Sequence, residues 1–340
     1  MSKQKVELLS PAGNLEKLKI AIKYGADAVY GGVSHFSLRI RASKEFTYET
    51  FKEAIDYAHE RGKKVYATIN GFPFNSQIEL LKTHIKKMAE LKPDAFIVAA
   101  PGVVRLCREI APQIDIHLST QANVLNYLDA QVFWDMGVKR IVVAREISLK
   151  DVMEIKKHLP DMEIEIFVHG SMCFAYSGRC LISAVQMGRV PNRGSCANDC
   201  RFEYTLYAGN DEHGSLFRLE EEPGVGTYIF NSKDMNLASH IQEILDSGAV
   251  DSLKIEGRTK SPYYAAVTAK AYREAIDDYY AGKFEPEKYQ KELHTTKNRG
   301  FTDAYLIHKP FEKTDSQNHD YALSKGSYEV TGLVTEDEDH

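Results

Sequence analysis

The alternation of short apolar runs with longer amphipathic stretches is the feature that most constrains the fold of this 340-residue chain. Runs rich in β-branched and aromatic residues predict eight strands, at 6–9, 28–30, 64–69, 95–98, 115–119, 140–143, 163–168 and 252–255. Amphipathic stretches predict helices near 15–24, 47–61, 76–91, 101–111, 126–136, 148–158, 236–247 and 262–281. Eight strand–helix units predict a closed (β/α)8 TIM-like barrel, and a doubly wound open sheet is the alternative.

The joints between helix and strand agree with both architectures. Gly25, Gly137 and Gly248 each stand where a helix should stop before a strand, and glycine adopts the left-handed conformation of a helix end at little cost. Pro93 serves as the helix stop at a fourth joint. No G-x-G-x-x-G or P-loop opens a helix, so the sequence does not favour dinucleotide or nucleoside-triphosphate binding.

The regular alternation breaks after Val168, and about 80 residues precede the last predicted strand. We therefore predict a barrel domain over 1–285, with 170–235 as an inserted cysteine-containing subdomain whose hairpin strands are 203–208 and 227–231. A loop after strand seven of a barrel lies at the catalytic mouth. Residues 286–340 are predicted to be a polar C-terminal extension, in which 327–334 resembles a strand without a partner, as at the start of a truncated β domain.

The net charge and the hydropathy of the chain limit the binding partners and the cellular compartment that we expect. The net charge of -5 gives no global basic field, so an RNA partner would need a local basic patch. No apolar run reaches the roughly 20 residues that span a bilayer, and the first residues do not form a signal peptide. We therefore expect a cytoplasmic protein that has no membrane partner.

Four of the five cysteines, Cys173, Cys180, Cys196 and Cys200, lie within 28 residues in the spacing C-x6-C-x15-C-x3-C. Zinc ribbons usually pair their ligands two to four residues apart, whereas iron–sulfur clusters accept varied spacings of four thiolates. A 4Fe–4S cluster is therefore favoured, with zinc as the alternative occupant and with buried thiols or a redox disulfide pair as the metal-free alternative. The fifth cysteine, Cys107, lies alone in a predicted helix and is expected in the core.

The cysteine segment is also basic. Between positions 179 and 201 there is one acidic residue, Asp199, and there are four arginines, Arg179, Arg189, Arg193 and Arg201. These arginines could hold an anion or an RNA backbone, or they could compensate the charge of thiolate ligands.

Polar residues stand at the predicted carboxyl ends of the strands, which converge on one pocket in a barrel. We predict His169 and Glu256 as catalytic acid or base, and we predict substrate-binding roles for Asn70, His117, Gln121, Arg145, Lys254 and Arg258. A polar layer that merely closes the barrel is the alternative.

Hydrolase chemistry has little direct support. The sequence contains neither the metalloprotease motif H-E-x-x-H nor the serine-hydrolase motif G-x-S-x-G. A cysteine nucleophile beside His169 is kept as an alternative.

Several segments together resemble one known family: ELLSPAGNLEKL (7–18), GADAVYGGVSHFSLR (25–39), HLSTQANVLN (117–126), EIFVHGSMCFAYSGRCLIS (165–183), NRGSCANDCR (192–201), NSKD (231–234) and SLKIEGR (252–258). They resemble the collagenase-like peptidase family U32 over roughly residues 6–310. The stretch from Glu165 to Ser183 is the most specific to it.

The resemblance implies hydroxylation chemistry despite the family name, since members include a prephenate-dependent tRNA wobble-uridine hydroxylase, a ribosomal-RNA cytidine hydroxylase and oxygen-independent ubiquinone hydroxylation factors. The tRNA subgroup is the best match, which implies conversion of a wobble uridine to 5-hydroxyuridine. The four clustered cysteines would then hold a 4Fe–4S cluster. Prephenate, a small dicarboxylate, would be a co-substrate clamped by Arg145, Lys254 and Arg258.

Two alternatives follow from the same resemblance. One is a peptidase of unassigned catalytic type acting on a peptide substrate. The other is a non-catalytic iron–sulfur scaffold for a hydroxylation complex.

Overall fold

The computed structural model describes residues 5–33, 36–38, 46–209, 212, 214–219, 227–308, 316–318 and 323. Within these residues the strands are β1 (Glu7–Pro11), β2 (Ala28–Gly31), β3 (Lys64–Ile69), β4 (Ala95–Val98), β5 (Asp115–Leu118), β6 (Arg140–Val142), β7 (Glu163–Ser171), β8 (Leu206–Gly209), β9 (Leu216–Leu219), β10 (Asp234–Asn236), β11 (Ser252–Ile255) and β12 (Phe301–Thr302). The predicted strand at 327–334 lies outside the described residues.

Eight parallel strands close into a barrel. Strands β1 to β7 pair in chain order, and β11 pairs with both β7 and β1. Lys254 of β11 is in register with Phe167 on one side and with Leu9 on the other. The closed ring confirms the predicted barrel and excludes the open sheet.

The helices of the described residues are α1 (Leu15–Lys23), α2 (Tyr48–His59), α3 (Ile78–Glu90), α4 (Pro101–Ile110), α5 (Tyr127–Asp135), α6 (Leu149–His158), α7 (Ile182–Met187), α8 (Ile241–Asp246), α9 (Pro262–Tyr280) and α10 (Pro286–Leu293). Several begin at a side chain that accepts a hydrogen bond from the first turn, as Asn14, Asn126, Ser148 and Ser261 do. Such caps satisfy backbone donors that a helix start leaves unpaired.

The predicted joints adopt the expected backbone. Gly25, Gly137 and Gly248 have φ angles of +104°, +81° and +65°. At the joint that ends with Pro93, Lys92 itself takes the left-handed conformation, with φ of +60°.

The core has two parts. The larger lies between the barrel and its helices and includes Cys107, which is fully buried as predicted. The smaller fills the barrel interior with Leu9, Ala28, Tyr30, Tyr66, Ala95 and Ile97. Because side chains fill the barrel, a ligand can enter only at its ends.

The sequence did not reveal β10. The predicted helix at 236–247 is shorter, since Asp234–Asn236 pairs antiparallel with β7 and the α-helix spans only Ile241–Asp246. Strand β7 runs past the barrel rim to Ser171 and offers its edge to β10. This segment therefore pairs with the edge of β7 in place of a further helical turn.

The insertion carries a hairpin whose second strand differs from the prediction. Strand β8 pairs with β9, through Leu206 with Leu219, and the predicted partner segment contributes only a bridge from Tyr204 to Thr227. The shorter loop between β8 and β9 costs less entropy to close.

The part of the chain from Pro286 to Thr302 packs on the barrel and its helices. Tyr289 and Leu293 of α10 are fully buried, α10 lies against α9, and β12 extends the sheet through β10. The predicted boundary of the C-terminal extension itself stays a prediction.

Among the described residues, none of the helices combines the length and the apolar character needed to cross a bilayer.

Candidate active site at the barrel mouth

A pocket opens at the carboxyl ends of the barrel strands, beneath the cysteine segment. Counted out to its open mouth, it holds about 1130 Å³ of empty space. It brings together ten of the twelve predicted site residues, which are Asn70, Gln121, Arg145, Lys254, Glu256, Arg258, Cys173, Cys180, Cys196 and Cys200. This convergence follows from parallel strands whose ends meet at one rim.

The cysteine segment is fastened to the rim through Ser177. The Ser177 backbone N–H donates to Glu146 at 2.7 Å, its hydroxyl donates to the same carboxylate, and the Arg145 backbone N–H donates to that hydroxyl at 3.1 Å. Ser177 has φ of +39°, a conformation that costs a non-glycine residue roughly 1–3 kcal/mol. The carboxylate of Glu146 holds the residue in this conformation.

A second tie joins the two halves of the cysteine segment. The Ser183 hydroxyl donates to the buried Asp199 carboxylate and accepts from the Ala197 backbone N–H at 3.1 Å. Ser183 follows Cys180, and Asp199 lies between Cys196 and Cys200. The pair therefore ties the part of the segment that follows Cys180 to the part that carries Cys196 and Cys200.

The geometry of the four thiols can be compared with the two metal groups that their spacing allows. A tetrahedral zinc site, with Zn–S near 2.3 Å, needs sulfurs about 3.8 Å apart. Across the described part of the chain, no three His, Cys, Asp or Glu side chains are arranged to hold one metal ion. The thiols nevertheless line one pocket, and a four-thiol donor set matches the ligands of a 4Fe–4S cluster.

Burial raises the pKa of the Cys180 and Cys200 thiols, and the neighbouring cysteines add to the effect. Backbone N–H groups already point at the sulfurs: Ile182 donates to Cys180 Sγ, and Asn198 donates to Cys196 Sγ, both at 3.4 Å. Such donors stabilise thiolate ligands.

Two buried donors without a partner in the described part of the chain line the same pocket. The Nε of Arg145 and the Nε2 of Gln121 are buried and have no hydrogen-bond partner among the described residues. Gln121 is oriented by Asn70, whose amide donates to its Oε1 at 3.1 Å, and by the Ser119 hydroxyl at 3.0 Å. These donors are placed to receive an anionic ligand, because a buried unpaired donor otherwise costs free energy.

Arg258 lines the pocket but is engaged by the protein. Its guanidinium donates to the Ser37 hydroxyl at 2.7 Å, to the Thr68 hydroxyl at 3.2 Å and to the Leu38 carbonyl. It therefore braces the β3 side of the rim as well as facing the cavity.

Lys254 lies at the floor of the pocket and opens a charged chain that runs down the barrel interior. Its Nζ is 2.7 Å from Glu165, which also accepts from Arg140 at 3.1 Å. Arg140 continues to Glu7 and to Glu163. A buried charge is tolerated only when it is paired in this way.

His117 does not reach the pocket. Its ring lies inside the barrel against Tyr66, with centroids 4.6 Å apart, and burial, reinforced by Arg140, lowers its pKa well below the usual range. The ring is therefore neutral.

His169 does not reach the pocket either. It packs among Tyr264, Tyr272 and Phe301, at centroid distances of 5.6–5.9 Å, and burial lowers its pKa to about 3. The two predicted acid–base residues, His169 and Glu256, thus do not share the cavity, and His169 forms no pair with a pocket cysteine.

Glu256 faces the cavity beside the end of β7. Its carboxylate accepts from the Ser171 backbone N–H at 3.4 Å. Gly170, with φ of +114°, lets β7 pass this close, since a Cβ there would lie 2.7 Å from the Glu256 carbonyl oxygen.

Several residues of the site were not singled out from the sequence: Phe167, Ser177 and Asp199 line the pocket, and Glu165 pairs with Lys254. Glu165 and Phe167 had a signal, because the run EIEIF alternates charge and apolar character with the period of a strand. Ser177 and Asp199 had none, since their roles depend on contacts within an irregular loop.

Comparisons with known proteins identify the family of this chain. The model of peptidase family U32 matches residues 13–316. The chain belongs to peptidase family U32. Its relatives in this family include "tRNA hydroxylation protein P" of Helicobacter pylori, 70% identical over 332 residues that cover 98% of this chain and 79% of the relative.

Two further relatives show the breadth of family U32. "tRNA hydroxylation protein P" of Escherichia coli is 41% identical, with 94% of this chain and 78% of the relative covered. "Collagenase" of Porphyromonas gingivalis is 31% identical, with 88% and 73% covered.

Proposed function

We propose that this protein hydroxylates tRNA, converting a wobble uridine to 5-hydroxyuridine with the help of prephenate and a 4Fe–4S cluster. The observation that carries the proposal is 70% identity, along 98% of the chain, to a protein named for tRNA hydroxylation. The cavity at the barrel mouth supplies a site where such a reaction can occur.

The surface around the mouth suits an RNA substrate. Arg179 is exposed at the cysteine segment, and the aromatic rings of Phe174, Tyr176 and Phe202 are about half exposed beside it. Arginine contacts phosphates, and exposed rings stack on unpaired bases. A local patch of this kind supports RNA binding by a protein whose net charge is -5.

The cluster would be held by Cys173, Cys180, Cys196 and Cys200. An iron–sulfur cluster supplies one-electron chemistry when it is bound. The protein contributes the four thiols, the N–H donors at 3.4 Å and the ties through Ser177 and Ser183 that keep the loop over the cavity.

Prephenate would bind in the same cavity. Its two carboxylates need charge-assisted donors, which Arg145 and Gln121 offer from buried positions. Lys254 and Arg258 add positive charge to the lining of the cavity.

The test combines metal content with RNA analysis. A variant with all four clustered cysteines changed to alanine is compared with the unchanged protein and with Cys107→Ala, a thiol control outside the pocket. We expect iron and acid-labile sulfide in the unchanged protein and in Cys107→Ala, both lost in the quadruple variant. In cells lacking the native protein, only the first two should restore 5-hydroxyuridine.

Three outcomes would contradict the proposal. Zinc without sulfide would make the cysteine segment a structural site. Full restoration of the nucleoside by the quadruple variant would remove the cluster from the reaction. Restoration that requires a stable complex with a second protein would assign this chain the role of a scaffold.

The Porphyromonas relative keeps peptide hydrolysis as a second candidate function. It predicts that the purified protein cleaves gelatin or a collagen-like peptide and that a single nucleophile substitution abolishes cleavage. The position of His169, outside the pocket, argues against a cysteine–histidine nucleophile.

A further inference from the structure

The Lys254 amine at the floor of the pocket pairs with a carboxylate and is also held in place by aromatic rings. Lys254 is 3% exposed, and its Nζ lies 4.4 Å from the centroid of the Tyr30 ring and 5.5 Å from that of Phe167. All three residues line the cavity. A lysine held on a barrel strand between two rings has little freedom to move, so its nitrogen stays aimed at one point.

The charges around Lys254 allow the amine to be neutral. Its partner Glu165 is also 3.1 Å from Arg140, and a guanidinium stays protonated. Glu165 therefore keeps a counterion when Lys254 loses its proton. Burial lowers the pKa of Lys254, although Glu165 opposes this effect. With Glu165 Oε1 at 2.7 Å, a proton acceptor stands beside the nitrogen.

One of the donors for an acid group, Arg145, packs against the same ring as the amine. The guanidinium carbon of Arg145 is 4.1 Å from the centroid of Phe167, the ring that also flanks Lys254. The unpartnered Nε of Arg145 and Nε2 of Gln121 line the same cavity. A small molecule with a carboxylate next to a carbonyl would meet the donors at one end and the amine at the other.

We propose that Lys254 forms an imine with the carbonyl of a 2-oxo acid whose carboxylate is bound by Arg145 and Gln121. The neutral amine attacks the carbonyl carbon, a C–N bond forms, and the carbonyl oxygen leaves as water with the two hydrogens of the amine. No electrons are gained or lost, and Glu165 relays the proton. The inference rests on the proposed function, because prephenate carries a 2-oxo acid side chain.

The experiment is borohydride trapping on the purified full chain. The protein is incubated with pyruvate or with prephenate, reduced with sodium borohydride, and analysed by intact mass and peptide mapping. We expect one reduced adduct with each acid, located on Lys254. Lys254→Arg should lose it, because arginine keeps the charge beside Glu165 but forms no imine.

Lys260 provides the matched control. It is another lysine with a pKa lowered by burial, it lies 5.4 Å from the Tyr264 ring, and it does not line the pocket. Lys260→Arg should keep the adduct. Lys254→Met serves as a second variant if Lys254→Arg has an altered melting temperature.

The result that overturns the inference is a folded, unchanged protein that traps neither acid, or that traps one on a lysine other than Lys254. The RNA readout separates this failure from that of the proposed function. If cells lacking the protein lose 5-hydroxyuridine but the purified protein gives no adduct, tRNA hydroxylation is supported and the imine is rejected. If the purified protein gives an adduct on Lys254 but cells lacking the protein keep their 5-hydroxyuridine, the imine is supported and tRNA hydroxylation is rejected.

Discussion

At the scale of single residues, the pocket consists of side chains of two kinds. Those with partners inside the protein, such as Arg258 and Glu146, set the shape of the rim. Those with buried atoms that lack a partner, such as Arg145 and Gln121, are left for a ligand.

Arg145→Gln tests this distinction. It removes the charge from the cavity wall, and a charge-assisted hydrogen bond contributes about 1.5–3 kcal/mol, so we expect roughly ten- to a hundredfold weaker binding of prephenate. Isothermal titration with the purified protein measures it. Arg105→Gln, on the exposed face of α4, is the control and should bind normally. Equal affinity in Arg145→Gln would take this residue out of the binding site.

Sequence reasoning succeeded at residues whose position depends only on strand order. Asn70, Gln121, Arg145 and Lys254 reach the pocket because parallel strands share one rim. His169 was misplaced because β7 does not end there: it continues to Ser171 and pairs with β10, and its register with β11 shifts between Lys254 and Ile255. The local sequence around His169 does not indicate that this segment pairs with a strand more than 60 residues later in the chain.

At the scale of elements, strands β1, β6, β7 and β11 carry charges into the barrel interior. Glu7, Arg140, Glu165 and Lys254 come from these four strands and form one connected chain. The chain fixes the register of the closing strands, since a shift by one residue would turn each charge out into the apolar layer beneath the helices.

This chain predicts how stability depends on pH. Burial alone would raise the pKa of Glu7, but Arg140 and the hydrogen bond from Tyr66 lower it overall. A carboxyl with a lowered folded-state pKa stabilises the fold above its unfolded value, about 4.3, and loses that contribution as the pH falls through the folded value. Glu7→Gln should therefore cost about 1–3 kcal/mol of unfolding free energy at pH 7.

The loss should be smaller at pH 4, where about two-thirds of Glu7 is protonated in the unfolded chain. Urea unfolding at the two pH values measures it, and Glu109→Gln on the exposed face of α4 is the control. A cost that is the same at both pH values would show that the packing of Glu7 matters and its charge does not.

At the scale of the whole molecule, ordered packing continues beyond α9, the helix that follows the last barrel strand β11. Helix α10 covers α9 with Tyr289 and Leu293, and β12 pairs with β10, which in turn pairs with β7 under the cysteine segment. The polar composition after Tyr280 hid this packing, because only two side chains of α10 are fully buried. The strand and helix repeat, by contrast, predicted the closed barrel directly.

Leu293→Ala tests whether α10 is integral to the fold. Removal of a fully buried leucine side chain typically costs about 2–5 kcal/mol, so the urea midpoint should fall clearly. Lys291→Ala, on the exposed side of the same helix, should leave it unchanged. Similar midpoints for both variants would mean that α10 can detach without consequence for the barrel.

The position of β11 in the chain has a consequence for assembly during synthesis. The hydroxyl of Ser252 on β11 bonds to Glu7 on β1 at 3.0 Å, across 245 residues of chain. A ribosome delivers the cysteine segment before this strand, so the thiols emerge while the barrel is still an open sheet with two unpaired edges. Any factor that loads the proposed cluster would thus meet the cysteines before the ring closes, and chaperones would have to shield both edges until β11 arrives.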